Sequence, residues 1–191
     1  MPIETILPDA TTTANPAWSG TIHTALATDD TTSTQCSTVG ESFVVSFGNL
    51  TASNIDSINS ITFSVIGNVG GIRGVTAVCT FILLDSSDSS YNLNEDKSFT
   101  DATHSTTQAG TTRTTSDGST AWTESDVNGL RMKVKYTSIA NPGANINLDF
   151  LKIDVDYNET AVVIPTYDNT LNNITMNLGT TVISGGTIVL D

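Results

Sequence analysis

The stretch Ala121–Tyr157, AWTESDVNGLRMKVKYTSIANPGANINLDFLKIDVDY, holds two segments in which apolar and polar residues alternate. In the first, Leu130, Met132, Val134 and Tyr136 alternate with Arg131, Lys133 and Lys135. In the second, Leu151, Ile153, Val155 and Tyr157 alternate with Lys152, Asp154 and Asp156. A period of two places one face of each strand against a core and the other in water. The connector, residues 138–145, contains Pro142-Gly143, where proline fixes φ and glycine accepts a left-handed backbone. The reading is a short turn followed by two strands that pair antiparallel and close one sheet.

The rest of the chain carries the same signature. Its 191 residues suit one domain with extensions, and they are rich in Thr, Ser, Asn and Asp, which favour strands and turns over helices. Ser42–Phe47 is a short apolar run before Gly48-Asn49. Ile61, Phe63 and Val65 alternate with Thr62 and Ser64 ahead of a glycine-rich break at residues 67–74. Val75–Leu84 begins alternating and ends apolar on both sides, as a central strand does, or one whose Ile82/Leu84 face meets a partner. Trp18 to Thr38 reads as a polar strand region, residues 55–58 as a helical turn or loop, and 91–118 as two thin strands near an edge. About eight strands with frequent turns predict an all-β, antiparallel two-sheet sandwich, most economically a jelly roll.

Both ends differ from this middle. Residues 1–17 contain Pro2, Pro8, Pro16 and a Thr run, with Ile3, Ile6 and Leu7 as the large apolar residues. They read as an extended N-terminal arm docked on a neighbour. Residues 159–191, with Ile183, Ile188 and Leu190 around Gly185-Gly186, read as a C-terminal β-ribbon that adds to its own sheet or a neighbour's. The jelly-roll domain is therefore expected over 18–158.

A formal net charge of −13 provides no footprint for nucleic acid or for anionic membranes. No segment approaches the roughly 20 apolar residues that cross a bilayer, and the opening MPIETILPDATTT has neither a basic start nor a long apolar run, so secretion is not expected. Cys36 and Cys79 are expected as buried free thiols. His23 and His104 lack a nucleophile context, and Asp154 and Asp156 share one strand instead of converging across a cleft, so no catalytic residues are assigned.

Four of the seven basic residues, Arg131, Lys133, Lys135 and Lys152, fall in the two opening strands. If those strands pair, the cations face Asp154 and Asp156 as a salt-bridge ladder; otherwise they form a basic docking stripe. Asp85-Ser86-Ser87-Asp88 and Asn94-Glu95-Asp96 are oxygen-rich loops that could hold a structural calcium, although neither matches the twelve-residue calcium loop. No other cofactor is expected. Trp18 and Trp122 precede turns, where a tryptophan plugs the end of a sandwich or offers a glycan-stacking platform.

Trp18 followed by Asp29-Asp30-Thr31-Thr32, the strand Ile58–Val65, the run Trp122–Leu130 and the closing Ile153–Tyr157 together resemble jelly-roll structural proteins of tailed bacteriophages. The resemblance implies a galactose-binding-like sandwich in the virion, on capsid or tail, made in the host cytoplasm. Its expected partners are a major capsid protein or other virion proteins and further copies of itself, as a trimer. Two functions follow as expectations: a non-enzymatic capsid decoration or cement protein, or a glycan-binding module of a tail fibre or spike.

Overall fold

The computed structural model describes residues 2–161, apart from 31, 102, 104 and 105. A compact unit spans Met1–Thr160. The expected C-terminal ribbon, with Ile183, Ile188 and Leu190, lies outside the described residues, as does His104. The described residues form, in chain order, β1 (Ile3–Ile6), β2 (Pro8–Thr13), α1 (Ile22–Leu26), β3 (Thr34–Cys36), β4 (Ser42–Phe47) and β5 (Ile55–Gly70). There follow β6 (Ala77–Leu84), β7 (Ser90–Phe99), β8 (Gln108–Ala109), α2 (Glu124–Asn128), β9 (Arg131–Ile139) and β10 (Asn145–Glu159).

The strands make two antiparallel sheets packed face to face. The first has the order β1-β10-β5-β8, with β3 also paired to β10; the second is β2-β4-β9-β6-β7. Within β3 to β10 the partners nest: β3 with β10, β4 with β9, β5 with β8 and β6 with β7. This is one long hairpin of strand pairs wrapped over a core, with β10–β5 and β9–β6 contacts completing the sheets. It is the jelly-roll order.

Alternation fills the space between the sheets. Phe43, Val45 and Phe47, Met132, Val134 and Tyr136, and Cys79, Phe81 and Leu83 project from the second sheet. Ile61, Phe63 and Val65 meet them from the first sheet, with Leu151, Ile153, Val155 and Tyr157. The Phe63 and Phe81 rings stack across the gap with centroids 5.3 Å apart. Fully burying a side chain of this size contributes roughly 1.5–3 kcal/mol.

Four expectations are corrected. First, β9 and β10 are not paired; they lie in different sheets, and the Pro142-Gly143 connector crosses between sheets. A period of two identifies the buried face of a strand but not its neighbour, and a connector of this length suits a crossing as well as a hairpin. Second, residues 1–17 are not an arm docked on a neighbour but belong to the sandwich itself. β1 pairs with β10 from Ile3↔Asp156 to Ile6↔Ile153, and β2 pairs with β4, so one N-terminal segment edges both sheets. Ile6 is buried in the core.

Third, residues 22–26 form α1, not a strand; Ile22 and Leu26, four apart on one face, are buried, and the helix packs on β2 and β10. Fourth, residues 55–58 and Gly67 belong to one 16-residue strand, β5. Gly67 is there because β10 passes too close for a side chain: a Cβ would lie 2.7 Å from the Asn147 carbonyl oxygen and 2.8 Å from Leu148 Cδ2.

Candidate functional site

The separation of β9 from β10 sends the basic residues to opposite sides of the molecule. Arg131, Lys133 and Lys135 project from the outer face of the second sheet, whereas Lys152 lies on the outer face of the first. The salt-bridge ladder is thereby excluded. Arg131 donates to Asp88 at 3.0 Å, and Lys152 pairs at 2.8 Å with Asp154 of its own strand. Among the described residues, neither Lys133 nor Lys135 has a carboxylate within ion-pair distance.

Lys133 stands between Val44 of β4 and Ile82 of β6, and Lys135 between Ser42 and Thr80. Val44 is buried and Ile82 half-buried on an outward face, an arrangement in which lysine stems cover apolar neighbours while the ammonium groups stay wet. The nearest acid along the Lys135 row is Asp96 of β7, two strands away, which accepts a 2.6 Å hydrogen bond from Thr80.

On the first sheet the outer face is acidic and polar. Asp156 lies opposite Ile3, and Asp154 opposite Thr5, whose hydroxyl donates to it at 2.6 Å. Asp156 accepts from the Asn59 amide at 3.2 Å, within a patch of amides that includes Asn158. Ile3 is 67% exposed, the most exposed large apolar side chain described, and Leu7 is partly exposed at the passage from one sheet to the other.

Sequence reasoning missed a polar clasp at one open side of the sandwich. Glu95 and Lys97 of β7 alternate towards the inside, and Lys97 Nζ bonds Glu95 at 2.7 Å and the Ala109 carbonyl of β8 at 2.6 Å. The second Glu95 oxygen accepts from the Thr111 amide at 2.8 Å, with Arg113 4.0 Å away. The signal was present as a charged i, i+2 pair opposite Phe81 and Cys79, but reading it required the register of β7 on β6.

The two tryptophans are plugs, and the glycan-platform reading is corrected. Each is 3% exposed. Trp18 packs edge-on against Phe43 with centroids 4.8 Å apart, and Trp122 donates from Nε1 to the Arg113 carbonyl at 3.1 Å beside Tyr91. Trp122 is followed by α2, capped by Thr123 and Asp126 in a reciprocal capping box.

Of the two oxygen-rich stretches, Asp85–Asp88 is a turn before β7 and Asn94–Asp96 lies within β7 itself, not in a loop. Asp85 accepts from the Ser87 and Ser89 amides, Asp88 from Arg131, and Glu95 from Lys97 and Thr111. Among the described residues no group of three or more His, Cys, Asp or Glu converges on one point. His23 shares hydrogen bonds with the Thr11 hydroxyl through Nδ1 and its backbone amide. It joins α1 to β2 beside a shallow groove lined by Ala10, Thr11, Gly20 and Ile22. Cys36 and Cys79 are free and buried.

Comparison with known proteins finds no matching family, no matching curated protein and no matching solved structure.

Proposed function

We propose that this protein is a non-enzymatic structural component of a tailed-phage virion, a decoration or cement protein on the capsid shell. The observation that carries this reading is the nested strand order of β3 to β10, the jelly roll that the Trp122–Leu130 and Ile153–Tyr157 runs imply through their resemblance to such proteins. The surface chemistry supports it: Arg131, Lys152, Lys97 and Glu95 tie strands and loops together, and an outward basic strip stands on an otherwise acidic chain. Shell attachment falls to residues beyond the sandwich, because the N-terminal segment is engaged within it.

Binding to empty capsids tests this. The full chain should co-sediment with shells, and a chain ending at residue 161 should remain folded and lose binding. Failure of the full chain to bind any shell overturns the decoration role, and unchanged binding by the shortened chain overturns attachment through the C-terminal residues. Removing residues 1–17 is not an equivalent test, since it strips an edge strand from each sheet.

A further inference from the structure

We propose that copies of this chain dock through unlike faces: Lys133 and Lys135 on the second sheet of one copy against Asp154 and Asp156 on the first sheet of the next, with Ile3 seated against half-buried Ile82. Three relationships carry it. The first is charge. A chain of net charge −13 repels its copies over most of its surface, so a local basic strip that has no ion-pair partner among the described residues is where another copy is attracted. Of the four basic residues in β9 and β10, Arg131 and Lys152 are held by Asp88 and Asp154, and among the described residues Lys133 and Lys135 have no such partner.

The second relationship is pitch. Lys133 and Lys135 are two residues apart on one strand, as are Asp154 and Asp156, so both pairs have the same spacing of about 6.7 Å. Lys152 and Thr5 already engage Asp154, which makes Asp156 the stronger of the two acidic contacts. The third is the apolar match. Ile3 projects from the edge of the acidic face directly beside Asp156, while Val44 and Ile82 flank Lys133 on the basic face. Exposed Ile3 and the strip beneath the lysine stems would each lose water on contact.

Because the two faces differ, the contact is head-to-tail, and it closes a ring or propagates according to the angle between copies. It stands on the charge pattern and strand register alone, and so holds whether or not the protein belongs to a virion.

Sedimentation velocity of the full chain at low and high salt, with two charge-reversed variants, tests the proposal. Wild type should self-associate at low salt and dissociate as salt screens the contact. Lys133→Glu/Lys135→Glu and Asp154→Lys/Asp156→Lys should each associate at least about tenfold more weakly, because like charges then face each other. An equimolar mixture should regain association, since each variant's reversed face now complements the other's. A wild-type monomer at low salt overturns the proposal. So do folded variants that associate like wild type, or two folded variants that stay apart when mixed. If a reversed variant does not fold, Lys133→Ser/Lys135→Ser replaces it, and undiminished association of that variant is equally fatal.

Discussion

Lys97, on the edge strand of the second sheet, holds its ammonium 5.7 Å from the centre of the Phe63 ring on the first sheet while bonding Glu95 at 2.7 Å. One side chain thus joins the two sheets at one side of the sandwich. Glu95 completes the clasp through the Thr111 amide.

Lys97→Met should therefore cost about 2 kcal/mol of stability, since it leaves a largely buried carboxylate short of its cation. For a domain of this size that is about 4–8 °C in Tm, measured by thermal melting at neutral pH. Burial alone would raise the Glu95 carboxyl, but the bonds from Lys97 and Thr111 outweigh it and hold it below the ordinary glutamate value. A depressed carboxylate stabilises the fold above the unfolded-state value of about 4.3, and that contribution is lost as pH falls through the folded value. Glu95→Gln should accordingly be less stable than wild type at neutral pH, the gap closing in acid.

Asp149 presents the opposite sign. It sits at the bulge of β10 between Leu148 and Phe150, with one carboxylate oxygen buried and unpartnered among the described residues. Burial, reinforced by Asp29 and Asp30, pushes it up to about 6. The unfolded chain ionises first, so a cost to folding builds as pH rises above the unfolded-state value of about 3.9 and is complete above the folded value. Asp149→Asn should raise Tm at pH 7.5 and leave it unchanged at pH 3.5, as read by calorimetry.

Gly67 should tolerate no side chain. The Gly67→Ala methyl would meet the Asn147 carbonyl, a backbone atom of the adjacent strand that cannot move without breaking the β10–β5 ladder. A loss of about 2–3 kcal/mol is expected in urea unfolding, as for overpacking elsewhere.

The two thiols should be inert in the native protein. Burial raises both Cys36 and Cys79 above the usual thiol range, and neither is more than 1% exposed. Alkylation at pH 8 should be negligible until denaturant opens the sandwich. Rapid labelling of either in native buffer would show that the core breathes at β3 or β6.

How much of this was legible depends on what each pattern encodes. Ile61, Phe63 and Val65, and Leu151, Ile153 and Val155, declared buried faces because alternation reports a face directly. The partner of β9 was not legible, since Met132 and Val134 would alternate identically beside β10 or beside β4 and β6. Thr5 and Thr11–Thr13 looked like an arm because edge strands bury few side chains, here Ile6 and Pro8. α1 spans only five residues, too few to show a helical period. The Lys133/Lys135 strip was visible as charge, and its freedom from Asp154 and Asp156 emerged only with the sheet assignment.

The pairing of Ile3 with Asp156 has one more consequence, for the order of events in synthesis. β1 finds its neighbour only after more than 150 further residues have been made, and β3 likewise waits for β10. The first sheet cannot close on a partial chain, so its edges stay available to other nascent copies until translation has passed residue 159. Placing β1 beside β10 makes synthesis of β10 the trigger for closing the first sheet.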